Sequence, residues 1–276
     1  MKSVFRADAL AGKTAFVAGG TSGINLGIAT RLAQHGAKVT LLGRNELKAN
    51  DAAQSLRAGG FDAMAVCADV RDYGAVEDAL GKAAQRYGQF DIVVSGAAGN
   101  FVAPVLGMSA NGFRAVVDID LIGTFNVCRA AFVHLRRPGA VVLNISAGQA
   151  VNARPYQAHV SAAKAGVNML TKALAMEWGP AGVRVLGISP GPVKDTEGMR
   201  RLTPTAEAEK ALCDTIPLRR YAQARELGDL AVFLSSDAAG YMTGAIVDCD
   251  GGSQLGDASA DSIPAEFLTH DDDAKT

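Results

Sequence analysis

The sequence lacks long hydrophobic runs and any large excess of charge, and each absence excludes a class of protein. No apolar stretch reaches the roughly 18 residues that a membrane-spanning helix requires. The formal net charge is −1, so the chain has no strong field to recruit nucleic acid or an anionic membrane. The first residues also lack the apolar core of a secretory signal, and we expect a cytoplasmic location.

Cysteine is scarce and dispersed. The four cysteines stand singly, without a C-x-x-C pair or a cluster of histidines beside them, at Cys67, Cys128, Cys213 and Cys249. This pattern predicts neither a disulfide framework nor a metal site, and it fits a reduced compartment.

Short apolar runs alternate with longer amphipathic segments along most of the chain. The runs occupy residues 14–19, 38–43, 63–70, 91–96, 140–146, 183–191 and 245–252. Strands separated by helices predict one α/β domain with a doubly wound, Rossmann-type parallel sheet of about seven strands and helices on both faces. We place that domain at 1–252, followed by an extension at 253–276 with a loose polar tail.

A glycine-rich turn, "AGGTSGINLG" (18–27), follows the first run and precedes a helical segment. Glycines at such a turn let the backbone approach a pyrophosphate at the positive end of the helix. The position of the turn favours a dinucleotide site over an ordinary loop. The predicted cofactor contacts here are Gly19, Thr21, Ser22, Gly23 and Asn25.

The second run ends in "LLGRN" (41–45), which has no carboxylate to hold the ribose of NAD. Arg44 is placed to pair with a 2′-phosphate, so we predict NADP(H). The alternative is a solvated loop arginine. After the third run, "ADV" places Asp69 and Val70 near the adenine, although Asp69 could instead cap a helix.

Four ordered features together resemble the short-chain dehydrogenase/reductase family: the glycine turn, "SGAAGN" (95–100), Lys164 and "SPGPV" (189–193). The resemblance implies that Lys164 contacts the nicotinamide ribose. It also implies further cofactor contacts from two loops, at Ala97, Ala98, Gly99, Pro190, Gly191 and Val193. A homotetramer is the family's usual assembly.

Within that family the chain is similar to 2,4-dienoyl-CoA reductases of the peroxisomal type. The likeness rests on "AAGNF" (97–101), "DID" (118–120), "EWGP" (177–180) and "GPVKDTEGMRRL" (191–202). It implies an acyl-CoA-type substrate and an aspartate, matching Asp120, that serves the site with Lys164. The family's tyrosine, four residues before the lysine, is Val160 here, and its serine is Ala147. The third glycine of the first turn is Asn25, which could still cap the helix.

The loss of tyrosine is compatible with reduction of a conjugated thioester. Hydride addition at the far end of a dienoyl thioester places charge on the thioester oxygen, which needs hydrogen-bond donors, and water can protonate the carbon. We therefore predict Asp120 and Lys164 as the catalytic pair. The alternative is that Asp120 only neutralises a buried Lys164.

Several residues near the pair have two interpretations. Tyr156 is a displaced acid or a packing residue, and His159 is a helix cap or part of the substrate wall. Asn100 and Phe101 are predicted to line the substrate pocket. A substrate lid is expected at about 193–220, where Arg200 and its neighbour Arg201 meet CoA phosphates or are merely solvated.

Three functions follow from these observations. The first is an NADPH-dependent reductase of dienoyl or enoyl thioesters in unsaturated fatty acid degradation. The second is a carbonyl or alcohol oxidoreductase that uses Tyr156 as the acid. The third is a dinucleotide-binding protein without catalysis.

Overall fold

The computed structural model describes residues 4–259, and its centre is one seven-stranded sheet. Each strand lies within one of the seven predicted runs, so the sequence prediction of the fold class is confirmed. The strands are β1 (Thr14–Ala18), β2 (Lys38–Gly43), β3 (Ala63–Cys67), β4 (Ile92–Ser95), β5 (Val141–Ile145), β6 (Arg184–Pro190) and β7 (Ile246–Cys249).

All strand pairs are parallel, in the order β3-β2-β1-β4-β5-β6-β7. The order reverses between β1 and β4, where the chain crosses from one half of the sheet to the other. Loops leaving the carboxyl ends of these two strands diverge and open a crevice, which is the usual ligand site of such sheets.

Nine α-helices within residues 4–259 surround the sheet. They are α1 (Gly23–Gln34), α2 (Glu46–Ala58), α3 (Tyr73–Tyr87), α4 (Ala110–Val117), α5 (Gly123–Ala131), α6 (Ala158–Trp178), α7 (Glu197–Leu202), α8 (Ala206–Thr215) and α9 (Ala224–Ser235). None of the helices in this range is long and apolar enough to cross a membrane.

The sheet separates two hydrophobic cores. Side chains of α1, α2 and α9 pack on one face, and those of α3, α5 and α6 pack on the other. Strand β1 shows the alternation that produces this arrangement, since Ala15 and Val17 enter the first core while Phe16 and Ala18 enter the second. Burial on both faces explains why the strands read as continuous apolar runs.

Helices α4 and α5 are joined by a wider π-helical turn, Asp118–Ile122. In this turn the Gly123 amide donates to the Asp118 carbonyl, five residues back. The Asp120 carbonyl accepts a hydrogen bond from Thr124 Oγ1 at 2.7 Å. Such single π turns occur often at functional sites because they redirect side chains. Here the turn contains Asp120.

The predicted lid corresponds to α7 and α8. An isolated parallel bridge between Val193 and Ala222 joins the two ends of this segment. The C-terminal extension predicted at 253–276 is described up to residue 259, and the rest of it lies outside the described residues.

Candidate active site

A large cavity of about 1600 Å³ lies at the carboxyl edge of the sheet. Ligand pockets for one drug-sized molecule typically measure roughly 300–1,000 Å³. The cavity therefore has room for two ligands side by side. Its wall is formed by the turns after β1, β4, β5 and β6, by the start of α6 and by the lid.

The turn after β1 suits the pyrophosphate of a dinucleotide. Gly19 has a φ of +74°, and a Cβ there would lie 2.8 Å from the Ala97 Cα atom, so only glycine fits. Ser22 precedes α1 without a side-chain hydrogen bond to the helix. The amides of the first turn of α1 are therefore left for a ligand, and Ser22 and Gly23 lie on the cavity wall.

Asn25 does not cap α1, contrary to the alternative considered from the sequence. It lies inside the first turn, and its Nδ2 donates to the Gly96 carbonyl at 2.6 Å. The helix begins before Asn25, so its side chain faces the end of β4 instead of the orphan amides. Asn25 thereby ties the first turn to the β4 loop.

At the adenosine end of the cavity, Arg44 is exposed and lines the wall as predicted. Asn45 caps α2 by accepting from the Lys48 amide at 3.0 Å. Lys48 also lines this end, a residue that sequence reasoning missed. Helical side chains tilt toward the N-terminus, so a lysine one turn after the cap was an available signal.

Asp69 does not line the cavity, whereas Val70 does. Its carboxylate forms an ion pair with Arg71 at 2.6 Å, and this hydrogen bond holds the pKa of Asp69 below its usual value. Asp72, not Asp69, caps α3. The contact of Asp69 with adenine stays a prediction.

The opposite end of the cavity contains the Asp120–Lys164 pair. Asp120 Oδ2 lies 3.2 Å from Lys164 Nζ, and the two side chains are 1% and 5% exposed. Asp120 Oδ1 accepts from the Gly99 amide at 2.7 Å. Lys164 Nζ donates to the Ile145 carbonyl at 2.9 Å. One buried ion pair thus joins four parts of the chain: the π turn, β5, α6 and the loop after β4. Lys164 is therefore not a solvent-exposed lysine on the surface of α6.

The positions of the missing tyrosine and serine are also on the wall. Val160 lies one helical turn before Lys164, and both residues line the cavity. Ala147 lines it as well. Ser146 donates instead to Asn168 Oδ1 at 2.5 Å. A proton donor is therefore absent from position 160, and Asp120 and Lys164 are the ionisable pair beside it.

Tyr156 is not on α6, because that helix begins at Ala158. It has a φ of +65°, lines the cavity and is 56% exposed. Its carbonyl accepts from the Ala103 amide at 3.0 Å, which fixes the loop after β4. Tyr156 is therefore a solvent-exposed residue of the cavity wall, whereas Asp120 and Lys164 are buried.

Phe101 and His159 are not on the cavity wall, and their contact with the substrate stays a prediction. The Phe101 ring packs on the His159 imidazole, with centroids 4.3 Å apart. His159 is fully buried in α6 and does not cap it. It precedes Val160 by one residue, so its side chain is rotated about 100° around the helix from that residue of the wall and does not line the cavity.

The other predicted contacts do lie on the wall. They are Gly19, Thr21, Ser22, Gly23, Asn25, Arg44, Val70, Ala97, Ala98, Gly99, Asn100, Asp120, Lys164, Pro190, Gly191, Val193 and Arg200. Arg201 is also there, and both lid arginines pair with Glu197, at 3.6 and 2.9 Å.

The cavity wall extends past the predicted domain boundary at Gly252. Ser253 and Gln254 line it, and Gln254 Nε2 donates to Ser189 Oγ at 3.1 Å. The Gln254 carbonyl accepts from Asn152 Nδ2 at 2.7 Å. No periodicity marks this segment, so sequence reasoning had no basis for including it. Within residues 4–259, no group of His, Cys, Asp and Glu side chains could hold a metal ion.

Comparison with known proteins shows which family has this sequence and site. The family model described as enoyl-(acyl carrier protein) reductase matches residues 18–254. The chain is 38% identical to a peroxisomal 2,4-dienoyl-CoA reductase of Arabidopsis thaliana, over 92% of this chain and 89% of that protein. It is 40% identical to one of Saccharomyces cerevisiae, over 90% of this chain and 86% of that protein.

A solved structure matches the same architecture. It is a gluconate 5-dehydrogenase from Burkholderia cenocepacia in complex with NADP and tartrate. The TM-score is 0.82 at 32% identity, covering 90% of this chain and 98% of that chain.

Proposed function

The chain belongs to the short-chain dehydrogenase/reductase family, and we propose that it is an NADPH-dependent reductase of 2,4-dienoyl-CoA thioesters. Reduction of such conjugated thioesters serves the degradation of unsaturated fatty acids. Both relatives described above carry the name of this activity.

The observation that carries the proposal is the buried Asp120–Lys164 pair, 3.2 Å apart, next to Val160. A carbonyl reductase needs a proton donor at the reacting oxygen, and tyrosine is absent from the position where the family provides it. A dienoyl thioester instead needs stabilisation of an extended enolate while water protonates a carbon. An ammonium group fixed by Asp120 and by the Ile145 carbonyl supplies that stabilisation.

The bound nicotinamide supplies the hydride. Lys164 holds the ribose and places its positive charge near the developing enolate. Asp120, fixed in turn by the Gly99 amide, keeps the ammonium group oriented and positions a water for protonation. Because both side chains are almost completely buried, their fields act in a low-dielectric setting where they are strong.

NADPH fits the adenosine end better than NADH. Arg44 and Lys48 line this end without a carboxylate beside them on the wall. Two cations at the N-terminus of α2 match a 2′-phosphate, and the uncapped start of α1 matches the pyrophosphate. Asp69 remains our proposed adenine contact.

The substrate part of the cavity lies under the lid. Asn100, Tyr156, Arg200 and Arg201 all line the cavity. We propose that the two arginines meet the phosphates of CoA, exchanging their ion pairs with Glu197 for stronger contacts.

We also propose a homotetramer and a cytoplasmic location. Exposed apolar side chains along α4 and α5, including Phe113 and Phe125 at 39% and 43% exposure, support burial against another copy. The four cysteines are free thiols, which suits a reducing compartment. Size-exclusion chromatography with light scattering and imaging of a tagged full-length chain test these two points.

The experiment that tests the activity combines the purified protein with NADPH and a 2,4-dienoyl-CoA, following the absorbance of each. We expect parallel loss of both chromophores and an enoyl-CoA product. Turnover of simple ketones or alcohols instead would favour the carbonyl alternative with Tyr156 as the acid. NADPH binding without turnover of either class would leave a dinucleotide-binding protein.

A further inference from the structure

His159 is a buried polar side chain that the proposed chemistry does not use. The residue is 0% exposed, and among the described residues neither ring nitrogen has a hydrogen bond of ordinary geometry, while the Phe101 backbone acts on the imidazole as a hydrogen-bonding group. Buried polar groups without well-formed hydrogen bonds are rare in folded proteins, because removing them from water has a cost that packing alone does not offset. An apolar side chain would fill this place without that cost. The imidazole therefore points to a function.

The surroundings of His159 connect it to the catalytic pair. His159 lies in the first turn of α6, five residues before Lys164. The π turn that contains Asp120 packs against α6, and the negative charge of Asp120 opposes the burial that lowers the pKa of the His159 imidazole. Asp120 Oδ2 has the ion pair with Lys164 but no hydrogen bond, so it has capacity for another donor. Phe101 covers the imidazole, at a ring tilt of 42°.

We propose that His159 is a positioning residue for the reduction, acting through Asp120 from the side of the site that faces away from the cavity. As a neutral imidazole it provides a polar but uncharged neighbour, so the carboxylate keeps Lys164 as its ionic partner. Through the ring contact it also fixes Phe101 and with it the loop that carries the Gly99 amide.

The charge state of His159 decides whether this arrangement holds. Burial lowers the pKa of His159 below its ordinary 6.5, while the Phe101 backbone and the Asp120 charge oppose the shift. At neutral pH the imidazole is therefore uncharged. In acid, an imidazolium beside Asp120 would compete with Lys164 for the carboxylate. Because the pKa of His159 lies below 6.5, we expect turnover to fall as the pH drops through that lower value.

Two substitutions separate polarity from shape. His159→Phe keeps an aromatic ring without nitrogens, and His159→Gln keeps hydrogen bonding but does not titrate. We expect kcat to fall about tenfold to a hundredfold in His159→Phe, since small displacements of positioned groups have effects up to this size. In His159→Gln we expect a smaller loss and an acid limb moved to lower pH. NADPH affinity should change less than about twofold, because His159 does not line the cavity.

His134→Gln is the matched control, since His134 is a partly buried histidine that does not line the cavity. It should leave kcat and the pH profile unchanged. If both His159 variants keep the wild-type kcat and acid limb, His159 only packs and the proposal is wrong. Should His159→Phe fail to bind NADPH, the pH profile of kcat in His159→Gln tests the proposal alone: an unchanged acid limb would contradict it.

A second measurement does not depend on activity. Whereas the kinetic effect rests on the proposed function, the imidazole titration of the protein without cofactor does not. Proton NMR of the four histidines, with His159 assigned by its loss in His159→Gln, gives its pKa. Asp120→Asn removes a charge that raises this pKa, so the value should fall further. An unchanged titration in Asp120→Asn would overturn the coupling even if the enzyme reduces dienoyl-CoA.

Discussion

The two ends of the cavity carry charge in opposite settings. At the adenosine end, Arg44 and Lys48 are exposed to solvent. At the catalytic end, the side chains of Asp120 and Lys164 are 1% and 5% exposed. Exposed cations are screened by water and salt, so they select a ligand with modest energy. Breaking a buried pair leaves a charge whose lost partner solvent compensates poorly. Burial therefore ranks the expected effects of substitution.

The largest effect is expected at the buried pair. Asp120→Asn keeps size and hydrogen bonding but removes the charge that orients Lys164. We expect the single-turnover rate with dienoyl-CoA to fall about 10²- to 10⁴-fold, the scale of lost acid–base catalysis. Lys164→Ala should have a similar effect, and the double variant should lose little more, because residues that share one step are non-additive.

Cofactor affinity distinguishes the two members of the pair. Lys164→Ala should weaken NADPH binding, whereas Asp120→Asn should not. Asp118→Asn, in the same π turn but off the cavity wall, is the matched control and should retain activity. If Asp120→Asn turns over at the wild-type rate, Asp120 only neutralises Lys164 and has no part in catalysis.

A smaller effect is expected at the exposed end. Wild type should bind NADPH more tightly than NADH, and Arg44→Ala should lose about 1.5–3 kcal/mol for NADPH, about ten- to a hundredfold in affinity. Titration by nicotinamide fluorescence measures both cofactors. Added salt should reduce the wild-type preference. Arg86→Ala, an exposed arginine off the cavity wall, is the control. Equal wild-type affinities for NADH and NADPH would contradict the assignment.

The smallest effect is expected at Tyr156. Tyr156 lines the cavity and is 56% exposed, so Tyr156→Phe should leave kcat within about threefold, well short of the roughly 10²-fold or greater loss of a removed acid. Steady-state kinetics with dienoyl-CoA measures this, with Tyr241→Phe on the open surface as the control. A loss on the order of 10²-fold would instead make Tyr156 the acid.

The sequence predicted the fold well because its signals are local. Each strand is buried on both faces, so it reads as an apolar run whatever its neighbours are. Gly19 could be assigned because only glycine tolerates its φ and the approach of Ala97. Arg44 could be assigned because the second strand ends there.

The catalytic end was predictable by resemblance but not in its geometry. Neither the amino-acid composition nor the hydrophobic periodicity of the sequence indicates the π turn at Asp118–Ile122, yet this turn sets the direction of the Asp120 side chain. The sequence also does not show that one residue of helical rotation takes His159 off the cavity wall, while Val160 lines it. Gln254 reaches the wall through tertiary contacts made far from its sequence neighbours.

Asn25 has an evolutionary consequence. Its amide occupies the space beside Gly96, where an added Cβ would lie 2.3 Å from Asn25 Oδ1. A side chain at 96 would therefore displace the Asn25 amide and its hydrogen bond to the Gly96 carbonyl, although the two positions are 71 residues apart in the chain. Glycine at position 25 would remove the bridge to the Gly96 carbonyl and free that space at the same moment. We therefore expect substitutions at these two sites to be non-additive, so that the residue at 25 limits which residues position 96 can accept.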